Sequence, residues 1–155
     1  MNEKGFTLIE LIVIIVILGI LAVTAIPKYL DMTNEARTAS VQGLAGGLAG
    51  ANSIVHAACL LDPLCDVSIA GQTATVSGQA VTVDFGYPTA DAAGILAAMD
   101  ITLGNFSTTV VAGPPDNLVF HLTAAAGNNC EAVFTETNVA GTAATITTDT
   151  TVCNF

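Results

Sequence analysis

Beyond Arg37 the chain carries no lysine or arginine. Three cations in all, Lys4, Lys28 and Arg37, face 13 acids across 155 residues, for a formal net charge of -10. Proteins that bind nucleic acid draw affinity from cations that displace phosphate counterions, so direct nucleic-acid binding is not expected here. Charged residues of either sign make up only 10%, against about 25% in an ordinary soluble domain. The surface must therefore rest on Thr, Ser, Asn and Gly. Tryptophan is absent, and before residue 80 the only aromatics are Phe6 and Tyr29. No G-x-S-x-G, H-E-x-x-H, Walker or dinucleotide fingerprint occurs, so no catalytic residue and no cofactor is expected. His56 and His121 each stand alone in the sequence.

The four cysteines, Cys59, Cys65, Cys130 and Cys153, lack any C-x2-C pair, which argues against a zinc site. An even number downstream of an apolar, export-like segment points to two disulfides in an oxidising compartment. Three connectivities are open. Pairing Cys59 with Cys65 and Cys130 with Cys153 is favoured, because each closes one local segment and stabilises by about 2 to 4 kcal/mol. Asp62 and Asp66 bracket Cys65, and Asp149 lies near the end, but no D-x-D-x-D-G calcium loop exists. Solvated acids are the better reading, and no metal is expected.

The stretch "GFTLIELIVIIVILGILAVTAIPKYL" is apolar from Phe6 to Ile26, with Glu10 as its one charge. As a helix, these residues span about 31 Å, the thickness of a bilayer's hydrocarbon core. Ile12 to Ile17 show no amphipathic period, so lipid or other helices must surround such a rod on all sides. A carboxylate in that setting costs at least ~3 kcal/mol and calls for a partner. A cleaved secretory signal, with Val23-Thr24-Ala25 as its site, explains neither Glu10 nor the length. A plain membrane anchor explains the length alone, and a buried soluble helix fits worst. Gly19 and Pro27 punctuate the run, since glycine costs about 1 kcal/mol relative to alanine and proline lacks the helix donor. A bend or local melting is expected there.

Gly5-Phe6-Thr7-Leu8-Ile9-Glu10, the apolar run and Pro27 together resemble the prepilin signature of type IV pilins, over about 25 residues. The resemblance implies a leader at 1–5, cleavage between Gly5 and Phe6 by a membrane prepilin peptidase, and N-methylation of the new Phe6 terminus. It implies a filament built by a homo-oligomer from an inner-membrane precursor, carried to the cell surface by the pilus assembly machinery. It also supplies the partner Glu10 needs, namely the terminal amine of a neighbouring subunit's Phe6. A buried pair of this kind holds only while both charges are present. In filaments of this family the Gly19–Pro27 interval is often melted. A secretion-system pseudopilin shares the same amino terminus, and an anchored periplasmic binding domain is the rival that would need neither cleavage nor Glu10.

From Val41 the apolar positions Val41, Leu44, Leu48, Ala51, Val55 and Ala58 step by three and four, one stripe of a helix that packs under a sheet. The organisation expected is a long helix over 6–58, its segment 6–27 serving membrane and filament core, and a head over 59–155. In the head, Thr73 to Ser77 and Ala80 to Phe85 read as strands around a Gly78-Gln79 turn. Thr89 to Met99, with Asp91 in its first turn, reads as a helix. Strands are expected near 117–124, 130–136 and 143–150, with Leu118, Phe120 and Leu122 on one face and Val119, His121 and Thr123 on the other. The fold class is α+β, a long amino-terminal helix on an antiparallel sheet. Residues Ala22 to Ala58 and "DFGYPTADAAGILAAMDI" are similar to the mannose-sensitive haemagglutinin subgroup of type IV pilins. By the same resemblance, 130–153 is the disulfide-bounded region that forms exposed filament surface, the adhesive or antigenic face, and the filament serves adhesion, attachment or motility. Asn105-Phe106-Ser107 is a lone sequon.

Overall fold

The computed structural model describes residues 6–99, 103–123 and 129–153. The expected leader, Gly5 included, lies outside the described residues. The chain divides into two compact units at Ala36 and Arg37.

Helix α1 runs from Leu8 to Leu61 and passes through Pro27. None of its described residues up to Ala36 is buried, as expected for a rod that is apolar all round and takes its cover from lipid or partner helices. Proline at 27 lacks the N–H that an interior residue would donate to the carbonyl of Val23. Helical conformation nevertheless continues through both Gly19 and Pro27.

From Arg37 onward the same helix becomes one-sided. Val41, Leu44, Leu48, Ala51, Val55 and Cys59 are buried, and their three-four spacing sets a single stripe against the head. The head holds two antiparallel sheets where the sequence suggests one. The first is β1 (Gln72–Val76), β2 (Gln79–Asp84) and β3 (Tyr87–Pro88), in that order. After the short helix α2 (Ile95–Met99), the second sheet runs β4 (Phe106–Val111), β5 (Asn117–Leu122), β6 (Glu131–Thr135) and β7 (Thr145–Asp149). The α1 stripe serves both sheets in turn. Val41, Leu44, Leu48 and Ala51 join Ile95, Leu118, Phe120 and Phe134 in one core, whereas Val55 and Cys59 pack with Ala74, Val76, Val81 and Val83 in another.

Local chemistry explains where the elements differ from expectation. The β1–β2 turn is Ser77-Gly78, one residue earlier than the Gly78-Gln79 turn expected, with Val76 paired to Gln79. Both turn residues have positive φ, 51° and 83°, the pattern of a two-residue hairpin turn whose twist matches its strands. Helix α2 starts at Ile95, well after Thr89. The Asp91 carboxylate accepts the Thr89 hydroxyl at 2.9 Å and the Gly94 N–H at 2.6 Å, closing turns in place of a first helical turn. A side chain at Gly94 would collide with the Thr89 backbone, so this loop requires glycine there.

Cys59 is joined to Cys65 with Cα atoms 5.2 Å apart, and Cys130 to Cys153 at 4.9 Å. Cys59, Cys130 and Cys153 are buried, so both bridges are part of the cores. Leu118, Phe120 and Leu122 face the core as their alternation requires. Val119 is buried too, while His121 is half-exposed and pairs with Glu131 of the adjacent strand at 2.9 Å.

Candidate assembly site

The amino-terminal unit presents its apolar side chains outward. Phe6 is 89% exposed and Ile12, the most sheltered large side chain of the run, is still 42% exposed. Each such side chain is worth about 1.5–3 kcal/mol when removed from water. A run of about twenty is therefore stable only in lipid or among partners. Length and composition qualify this segment as a membrane span.

Polar groups within the rod are satisfied locally. The Thr24 hydroxyl donates to the Leu21 carbonyl at 3.0 Å, and that of Thr33 to Tyr29 at 2.7 Å. At the tip, the Thr7 N–H and hydroxyl both donate to the Glu10 carboxylate at 2.8 Å, while the Glu10 N–H points back to the Thr7 hydroxyl at 3.4 Å. This reciprocal arrangement is a capping box, which satisfies donors at a helix start. Its T-x-x-E signature stands in the sequence and reveals a second duty for Glu10 that the assembly reading alone leaves out. Among the described residues the carboxylate's hydrogen-bond partner is Thr7, within its own first turn, and it carries its charge outward on an exposed face. Phe6 lies beside it, outside the helix and fully accessible.

A separate set of polar contacts organises the head. The Arg37 guanidinium donates to the Cys153 carbonyl at 3.3 Å. His56 stacks on Tyr87 with ring centroids 4.1 Å apart, its Nδ1 lying 3.0 Å from the Gly86 carbonyl. Glu136 accepts the Ala90 N–H at 2.9 Å and the Asp116 N–H at 3.4 Å. Burial pushes this carboxyl above the ordinary carboxylate range, against the lowering effect of those bonds, and the charges of Asp116 and Asp84 add to the rise. Asp66 and Asp149 are held below their ordinary values, chiefly by the hydroxyls of Ser68 and Thr151. The acids considered for calcium thus serve turns, with Asp62 accepting the Leu64 N–H at 2.9 Å. Among the described residues no three His, Cys, Asp or Glu side chains gather as metal ligands.

An exposed apolar helix, an acid in its first turn and a disulfide-closed α+β head agree with what the comparisons find. Residues 1–26 match the prokaryotic N-terminal methylation motif. The chain is 38% identical over 91 residues to the type IV narrow pilus major component PilA5 of Thermus thermophilus, an alignment covering 54% of this chain and 78% of that protein. The chain belongs to the type IV pilins. It is accordingly a structural subunit of a pilus, and the pilin family is structural rather than enzymatic. No solved structure matches this pilin. Of the site residues read from the sequence, the structure places Phe6 and Glu10 together at the rod's tip and Gly19 and Pro27 further along it. The cysteines lie in the other unit.

Proposed function

We propose that this pilin is cut between Gly5 and Phe6 by a prepilin peptidase, methylated on the new Phe6 amine, and drawn from the inner membrane into a surface filament by its apolar helix. The leader is 1–5, the polymerising helix 6–58 with 6–27 as its filament-core segment, and the head 59–155. Glu10 sets the register by accepting the terminal amine of a neighbour's Phe6. The observation that carries this reading is the outward-facing Glu10 carboxylate, one acid among exposed apolar side chains, with Thr7 as its partner among the described residues. Two charges buried together in an apolar filament attract strongly, and deleting one strands the other at several kcal/mol. Gly19 and Pro27 supply the interval that bends or melts on assembly. Residues 130–153 contribute the adhesive or antigenic outer face of a filament that serves adhesion, attachment or motility.

Glu10→Ala is expected to leave insertion and leader cleavage intact while abolishing or severely slowing fibre growth. The measurement is electron microscopy of sheared surface material with amino-terminal sequencing of its subunit. Normal fibres from Glu10→Ala cells would refute the pairing, and a subunit that starts at Met1 would refute processing.

A further inference from the structure

The four-stranded sheet of the head ends in two edges, β4 and β7. Edge strands left open recruit other strands, and proteins that must avoid this guard them with Lys, Pro or a bulge. Neither edge is guarded here. The strands read FSTTVV and TITTD, and they pair with their inner neighbours without interruption over six and five positions.

The ladder geometry shows which backbone groups face outward. In an antiparallel ladder, successive residues turn their N–H and C=O alternately to one side and the other. The Thr123 N–H donates to the Asn105 carbonyl at 2.6 Å, so Ser107, Thr109 and Val111 bond to β5 while Thr108 and Val110 turn away from the sheet. The Leu122 N–H donates to the Cys130 carbonyl at 3.2 Å, which directs Ala132 and Phe134 to β5 and leaves Glu131, Val133 and Thr135 to bond β7. Ile146 and Thr148 therefore face outward from the opposite edge. Among the described residues no strand takes up these groups.

We infer that in the filament β7 of one head pairs antiparallel with β4 of a second copy, with Thr148 opposite Thr108 and Ile146 opposite Val110. Three observations single out that occupant. Each strand of the sheet is antiparallel to the next, so a second sheet set edge to edge in the same orientation continues the alternation. Val110, Leu118, Phe134 and Ile146 form one cross-strand row, as do Thr108, Phe120, Ala132 and Thr148. The proposed register prolongs both rows into the next head and covers Val110, now 52% exposed, with a β-branched partner. The same register sets Asp149, the one charge on either edge, opposite Ser107, so heads that lack cations beyond Arg37 meet there without like-charge contact. Two unlike edges meeting head to tail give an open, repeating contact, the kind a fibre needs. The inference rests on the filament reading above and adds a specific head-to-head contact to it.

The test uses the full chain in piliated cells. In the parent, amide hydrogen exchange at Thr108, Val110, Ile146 and Thr148 is expected to be at least about tenfold slower in fibres than in the detergent-held subunit. Photo-leucine at position 110 should cross-link within fibres to the Thr145–Asp149 segment of another copy; in its own chain that segment lies three strands away. Thr108→Pro and Thr148→Pro each delete an outward N–H that the head's own sheet does not use. Both should keep two intact disulfides and lower sheared-fibre yield by about tenfold. Equal exchange in fibre and subunit, cross-links only to a foreign protein or to another part of the head, or unchanged yield from both folded variants overturns the inference while fibres persist. Absence of fibres from the parent chain itself would instead remove the filament reading, and this inference with it.

Discussion

The two parts of α1 obey opposite rules in one continuous helix. Up to Ala36 it has no buried residue, and its apolar side chains cover every side; from Arg37 it is buried along one stripe and half-buried or exposed elsewhere. The contrast teaches that apolar content alone does not define a core. Ile14 at 47% exposure and Leu48 at 0% are both aliphatic residues of the same helix. What separates them is who supplies the covering surface: the chain's own sheets for Leu48, and lipid or sister chains for Ile14.

Substitution in the two regions should split stability from assembly. Phe120→Ala removes a fully buried ring and is expected to destabilise the head by about 3–5 kcal/mol. Ile14→Ala should leave that transition unchanged and reduce fibre yield. Urea unfolding of the full chain in detergent, followed beside fibre yield, checks both, and a shift of the head transition by Ile14→Ala would break the comparison. Next in size come the disulfides. Replacing Cys130 and Cys153 by serine opens a longer loop than replacing Cys59 and Cys65, with sequence separations of 23 and 6. Loop entropy then predicts losses of about 3.5 and about 2 kcal/mol respectively. Equal losses would mean that the unfolded chain does not control the difference.

The smallest effect concerns pH. A carboxyl whose folded pKa is raised binds more protons folded than unfolded, so its contribution falls as pH rises from the unfolded value through the raised one. For Glu136 that window opens at the ordinary 4.5 and extends upward. Asp66 and Asp149 have lowered values and act oppositely, their contribution disappearing only as pH falls below about 3.8. Glu136→Gln should flatten the decline above pH 4.5 and leave the acid limb in place. Thermal melts across pH 3 to 7 would show it, and an unaltered decline would assign that slope to other groups.

Much of this architecture is legible because its signals are periodic. The three-four stripe from Val41 and the alternation of Leu118, Phe120 and Leu122 each report a buried face directly. Strand β4, Phe106–Val111, escapes such reading because its outward Val110 and Val111 blur the alternation, with exposures of 52% and 48%. Its pairing with β5 over six positions, not its own pattern, makes it a strand. Helix α2 is shorter than its sequence suggests, since Asp91 and Gly94 form side-chain and backbone contacts that end at Ile95. The Thr7–Glu10 box stands in the sequence as T-x-x-E, and its signal overlaps the acid that the apolar run already singles out.

One consequence of the charge distribution concerns digestion. A trypsin-like protease finds its last target in this sequence at Arg37, and that guanidinium is engaged with the Cys153 carbonyl in the folded chain. Everything from Thr38 onward should therefore survive such treatment as a single polypeptide, and amine-directed dyes will find no lysine on it.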